Sequence, residues 1–444
     1  MTTGADAPDD PGSDGSPSSA SPSDETGRPS TRWVAVMSVL GVVSAAWLLS
    51  RVWHDTWGRT QLDFAVYVLG AHHLMDGRLY HVGLPYPPYL PFTYPPVAPL
   101  AFWPLAVLPR QVAQLVWAAV NVASLYGVIA LSLRAMLPGM DRTRLLLWSV
   151  VLLGPSYLLD PVRLTFYFGQ VNLVLCLLLL ADLTTTLEFR GRTLPRGVLV
   201  GVAAAVKLVP LVFVPYLFVT RQARAAWTAL ATFVACSLLA TAFDPATSWA
   251  YWTKYATDAA RVGNPSYILN QSLQGTLDRL THRDVSVVVV DAAGALVLVG
   301  GIALARWAWR DSSSFLGILV CATTGMVVSP ITWEHHLVWA VPILLWLVLA
   351  RDRPAGGPLW AAAAALVLWR APLQHVPSGG TRELHEHGWT LLAANSFFGL
   401  LMAFLVGVAV LLAARRACGA RGTRGAGAPV RGPASPNART ATTT

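Results

Sequence analysis

Charge is scarce in this chain. Asp, Glu, Lys and Arg make up 12% of its 444 residues against 54% hydrophobic ones, and the mean hydropathy is +0.51. A soluble protein of this length needs a charged surface over several domains, so that class is excluded. Cysteine is also sparse. Cys176, Cys236 and Cys321 lie in apolar runs and Cys418 in a basic tail, which gives no disulfide framework; all four read as unpaired. There is no P-loop, Rossmann glycine pattern, nucleophile elbow or HEXXH spacing, and no Asp-x-Asp to hold a metal-bound nucleotide sugar. Met1 to Ser30 lacks the basic start and apolar core of a signal peptide. Internal repeats of the solenoid or inverted-transporter kind are absent as well.

What fills the chain is Leu, Val and Ala in long runs. Crossing a bilayer takes about 20 apolar residues as helix, and backbone polarity forbids irregular structure facing lipid. The fold is therefore expected to be all-α, a polytopic membrane protein with roughly 11–13 transmembrane or re-entrant helices. The formal charge of +9 does not point to nucleic acid, because the arginines fall in short gaps between apolar runs and in the tail, the positive-inside pattern. Three regions follow: residues 1–31 as a disordered cytoplasmic tail, 32–414 as the membrane domain, and 415–444 as a disordered basic tail able to rest on anionic lipid. Both termini are placed in the cytoplasm.

Two stretches resist simple crossing. Pro96 to Pro109 is short and broken by Pro99 and Pro104, and reads as re-entrant or half-spanning. Gly197 to Val219 is long enough to cross, yet it has Lys207 and Pro210 at its middle and arginines at both ends. That pattern predicts two half-helices that turn at Lys207 and return to the same side.

Candidate chemistry lies at the outer ends of the spans. Asp63 follows the first apolar segment, and with Tyr67 and Gly70 it recurs at i, i+4, i+7 on one face of a short juxtamembrane helix. It is either a functional carboxylate at the membrane edge or a solvated cap of that helix. Lys207 sits alone in an apolar run, where a central charge costs about 2.5–3.5 kcal/mol. It either meets an anion, such as a lipid phosphate, or snorkels to the headgroups. Glu334, His335 and His336 in Ser329-Pro-Ile-Thr-Trp-Glu-His-His336 could bind a phosphate or sugar hydroxyls, or be satisfied by backbone. Further amides and phenols extend the set: Gln170 and Asn172 opening a span, Asn270 and Gln271 in an outer loop where Asn270 also begins a glycosylation sequon, Tyr94 in a Tyr/Pro-rich loop, and Arg163.

The segments DFAVYVLGAHHLMDGRLY, FTYPPVAPLAFWPLAVLP, FGQVNLVLCLLLLADL, AAAVKLVPLVF, NQSLQG and SPITWEHH occur in that order. Together they resemble glycosyltransferase family 87 of the GT-C superfamily, over the stretch from about Trp33 to about Ala350. The resemblance implies an actinobacterial polyprenyl-phosphate-mannose-dependent α-mannosyltransferase, or a relative transferring arabinofuranose. It implies a lipid- or glycan-linked acceptor, and inverting transfer with the active site outside the cytoplasm. It places the catalytic carboxylate on Asp63, the membrane lysine on Lys207 and the histidine pair on His335 and His336, with no metal and no cofactor, since the donor carries a single phosphate. A lipid or sugar transporter without chemistry, or a structural membrane scaffold, are the readings from other classes.

Overall fold

The structure is a computed structural model, and it describes residues 29–425. The expected N-terminal tail therefore lies almost wholly outside the described residues, as do the last nineteen residues of the expected C-terminal tail. Helix dominates. The described strands are two-residue pieces, Glu188–Phe189 and Arg192–Thr193, paired antiparallel. Among the described residues five helices are long and apolar enough to cross a membrane: Thr31–Thr56, Arg110–Met136, Ala223–Phe243, Val287–Asp311 and the stretch Ser396–Cys418. Helix Asn172–Thr184 is shorter than the span expected from Gln170 onward, because Gly169, Gln170 and Val171 form the turn that leads into it. The last helix runs to Gly425, past the point where a disordered tail was expected.

Side-chain contacts sort the helix ends into two groups. At one end Arg144 lies over Trp33, Arg306 donates to the Val219 carbonyl, and Arg416 pairs with Asp311. At the other end Arg110 and Gln114 both donate to the Arg59 carbonyl, and Gln271 accepts from Phe397 and Phe398. Thr31–Thr56 leads from the arginine-rich end to the second end, and Arg110–Met136 leads back. Both described chain termini stand at the arginine-rich end.

The two doubtful stretches resolve within this frame. Ala98–Ala106 is a nine-residue helix that packs on Leu62–His72 and stays at the second end, as its short, Pro-interrupted sequence suggests. The segment 197–219 is a hairpin. Val198–Val206 rises to Lys207, a 3₁₀ turn Val209–Val212 follows, and Phe213–Val219 returns. Its two ends meet, since Arg196 before the first arm donates to Gln222 after the second at 2.9 Å. The rising arm lies directly on Ala223–Phe243. A Cβ on Gly197 would stand 2.1 Å from the Ala225 carbonyl, and one on Gly201 2.5 Å from that of Ala229. Small residues four apart let the two backbones touch, the usual way membrane helices associate where lipid removes the hydrophobic drive. The membrane lysine thus sits at the tip of a hairpin.

One segment shapes the site. After Tyr157 the chain forms a further helix, Asp160–Phe168, turned 82° from the helix before it. Pro161 in its first turn has no N–H to donate to the Tyr157 carbonyl four residues earlier and its ring would clash with it, so the preceding helix ends there.

Candidate active site

Asp63 opens an eleven-residue helix, Leu62–His72, too short to cross a bilayer. Two features lock this helix in place. Gln61, buried just before it, donates to the Phe166 carbonyl at 2.6 Å. Gly70 presents bare backbone to the Phe92 ring, where a Cβ would come within 2.4 Å. The glycine seven residues after Asp63 thereby admits the Phe92–Tyr94 loop against the same helix face.

Gly169 then delivers the amides. It ends helix Asp160–Phe168 with φ +70°, a left-handed conformation that suits glycine, and a Cβ there would lie 2.6 Å from Phe64 Cβ. Trp117 donates to its carbonyl at 2.8 Å. Gln170 is thus buried against the Asp63 helix, and its side chain hydrogen-bonds the Asp63 carboxylate. The Tyr67 hydroxyl lies 2.8 Å from Gln170 Oε1 and 3.1 Å from the Tyr94 hydroxyl, and Gln170 Nε2 lies 3.4 Å from Tyr94. Asp63 itself is only partly covered, so a substrate can reach it. The surrounding protein nevertheless pushes its pKa up to about 6, with the Gln170 hydrogen bond and the Lys207 charge opposing the rise. Burial and the Asp63 charge both push the Tyr94 phenol up as well.

Lys207 meets this group from the hairpin tip. Its Nζ lies 3.0 Å from Asn172 Oδ1, 2.9 Å from His336 Nε2 and 5.8 Å from the centre of the Tyr94 ring. Asn172 donates its amide to the His335 carbonyl at 3.0 Å, which ties the histidine segment to the start of its own helix. Because Lys207 donates, His336 must accept through Nε2 and carry its proton on Nδ1. Among the described residues Lys207 forms no salt bridge, so neutral acceptors hold a cation that no carboxylate neutralises directly. Behind it runs a narrow apolar cleft of about 50 Å³ between Leu179, Val212, Phe213 and Met326. His335 is buried beside Phe168 and His336 with both ring nitrogens unpartnered.

Asp63, Tyr67, Tyr94, Gln170, Asn172, Lys207, His335 and His336 thus converge. Glu334 and Arg163 stand to one side with two residues that the sequence reading passed over, Asp160 and Gln374. Asp160 is ion-paired to Arg163, and Gln374 donates to Glu334 at 3.3 Å. Asp160 ends an apolar run and precedes a proline, the same membrane-edge signal that singled out Asp63. Asn270 and Gln271 are not brought to Lys207. Asn270 is fully buried, donating to the Pro265 and Pro330 carbonyls and accepting from Ser272 and Thr332 amides, while Gln271 holds the start of the last helix. Their polar groups are consumed by the fold, and the Asn270 amide is closed to glycosylation.

Comparison with known proteins adds to this geometry. The sequence profile of Glycosyltransferase family 87 matches residues 92–330. The chain belongs to glycosyltransferase family 87. It is similar to a polyprenol-phosphate-mannose-dependent alpha-(1-2)-phosphatidylinositol mannoside mannosyltransferase of Mycobacterium tuberculosis, 33% identical over 86% of this chain and 91% of the relative. It is also similar to a polyprenol-phosphate-mannose-dependent alpha-(1-2)-phosphatidylinositol pentamannoside mannosyltransferase of Mycolicibacterium smegmatis, 35% identical over 70% of this chain and 73% of the relative. No solved structure matches. As a family 87 member the chain is a multi-pass membrane glycosyltransferase. The profile match takes in Tyr94, Gln170, Asn172 and Lys207, while Asp63 and the histidine pair lie outside it.

Proposed function

We propose that this glycosyltransferase transfers mannose from polyprenyl-phosphate mannose to a phosphatidylinositol-mannoside-type acceptor, forming an α linkage with inversion. The observation that carries the reading is Lys207, an uncompensated cation held by Asn172 and His336 at the mouth of an apolar cleft, facing the Asp63 group. That pairing suits a substrate with a phosphate on a prenyl chain and a sugar beyond it. The names of the relatives favour mannose over arabinose as the sugar and a phosphatidylinositol mannoside as the acceptor.

The donor phosphate sits at Lys207 with the histidine pair, and the prenyl chain parts the walls of the narrow cleft. Asp63 takes the proton from an acceptor hydroxyl as that oxygen attacks the anomeric carbon. The bond from that carbon to the phosphate oxygen breaks, and the negative charge developing on the departing polyprenyl phosphate is met by the Lys207 ammonium. Gln170 orients the Asp63 carboxylate, and Tyr67 and Tyr94 orient Gln170. Attack opposite a β-linked phosphate yields the α-mannoside. The arginine-rich end, with both described chain ends, faces the cytoplasm by the positive-inside bias, which puts the site on the extracytoplasmic side.

The test is Asp63→Asn in proteoliposomes supplied with radiolabelled polyprenyl-phosphate mannose and a phosphatidylinositol mannoside. Transfer is expected to fall by about two to four orders of magnitude with the thermal unfolding profile unchanged. Transfer at the wild-type rate would remove Asp63 as the base.

A further inference from the structure

A second cavity, of about 540 Å³, opens at the end of the molecule opposite Asp63. Arg134, in the last turn of helix Arg110–Met136, and Arg196, before the hairpin, both line it, together with Gln222 and Thr184. Among the described residues no carboxylate does. The nearby Asp182 is buried and committed, accepting from the Gly197 and Val200 amides at 2.7 and 2.9 Å. Arg134 is exposed and has no partner among the described residues, and Arg196 is held only by Gln222. The cavity therefore carries two guanidinium groups and no anion of its own.

The rest of its wall mixes the polar groups of Thr185, Tyr216 and Ser314 with apolar side chains. Leu131, Leu183 and Ile318 continue from the guanidinium groups towards the middle of the helices they belong to. A site that is cationic at the helix ends and apolar towards the membrane interior matches an anionic phospholipid, phosphate outward and acyl chains along the wall. We infer that this cavity binds the phosphate headgroup of one anionic phospholipid, in the leaflet opposite the one that holds the donor phosphate.

The location gives the site a consequence. Arg196 precedes one arm of the hairpin and Gln222 follows the other, and Lys207 is at the tip. A headgroup bridging Arg134 to Arg196 clamps the base of the element whose tip holds Lys207. Naming the opposite leaflet rests on the proposed active site, whereas the binding itself does not.

Native mass spectrometry of the full-length protein, released from vesicles of phosphatidylcholine with phosphatidylglycerol, reads the retained lipid directly and needs no transfer activity. The wild-type protein should keep one phosphatidylglycerol under conditions that strip phosphatidylcholine, and Arg134→Gln with Arg196→Gln should lose it. Equal retention by both proteins would overturn the inference. So would displacement of the phosphatidylglycerol by millimolar inorganic phosphate, which would mark a site for free anions. Should the double variant not be monodisperse, Arg134→Gln alone decides the matter, because Arg134 is exposed and supports no fold contact.

Discussion

Lys207 Nζ stands 2.9 Å from His336 Nε2, so the lysine at the hairpin tip is held by an imidazole from a segment 129 residues later. The contact joins the hairpin to the Glu334–Trp339 turn, and Asn172 completes it by binding Lys207 through Oδ1 and the His335 carbonyl through its amide. Three separated parts of the chain therefore meet at one cation.

Lys207→Met is expected to abolish donor use, because the phosphate loses its charge partner. His336→Gln keeps an acceptor near Lys207 and should chiefly raise the apparent KM for the lipid donor. Since the proposed mechanism has the two side chains acting on one phosphate, their effects should not add, and the double variant should be little worse than Lys207→Met alone. Steady-state transfer against donor concentration checks this. Additive losses would mean that the two residues serve different groups.

The pH dependence follows from Asp63. With its pKa pushed up to about 6, the carboxylate proposed as the proton acceptor is mostly protonated below that value and free above it. Transfer rate should therefore rise with pH through about 6 and then level. For stability the sign is opposite. Between the ordinary value of 3.8 and about 6 the folded protein binds more protons at Asp63 than the unfolded chain does, so this group's contribution falls as pH rises through that window. In Asp63→Asn both effects vanish. A rate that holds level down to pH 5 would show that Asp63 does not titrate as the base.

The sequence made the membrane fold legible because hydrocarbon imposes helix on any long apolar run, and it made the hairpin legible because Lys207 and Pro210 interrupt one such run between basic ends. Asp63, Lys207 and the histidines were readable as ionisable groups where such groups are costly. What could not be read was which amides belonged to the site. Gln170-Val-Asn172 and Asn270-Gln-Ser272 look alike as short polar runs beside apolar segments. Only the left-handed turn at Gly169 sends the first pair to Asp63 and Lys207, whereas Asn270 is consumed by carbonyls from Pro265 and Pro330. The helix at Asp160–Phe168 was hidden for a related reason, since a nine-residue helix lying across the bundle end has no span-length apolar signature.

That difference gives Asn270→Ala a specific outcome. It leaves the Pro265 carbonyl and the Ser272 and Thr332 amides without their partner, each orphaned buried group costing about 1–3 kcal/mol, while the Pro330 carbonyl keeps the Ser272 hydroxyl. The variant should unfold at markedly lower temperature, while the folded fraction keeps the wild-type KM for donor and acceptor. A raised KM with unchanged thermal stability would instead place Asn270 on a substrate.

Gln170 offers the sharpest separation of positioning from chemistry. It does not itself exchange a proton with the acceptor, yet its hydrogen bond favours the charged form of Asp63 and opposes the rise caused by burial. Gln170→Leu removes that bond and leaves the Tyr67 hydroxyl without its 2.8 Å acceptor. The Asp63 pKa should then climb further, and the acid limb of the rate profile should move to higher pH by the same amount. At pH 7 the loss of activity should exceed the loss at pH 8.5, where Asp63 is again ionised. Gln170→Glu should differ, since a second carboxylate beside Asp63 raises its pKa by repulsion as well as by losing the amide donor. A merely structural role for Gln170 would lower the rate by one factor at every pH, and a full pH profile of each variant distinguishes the two.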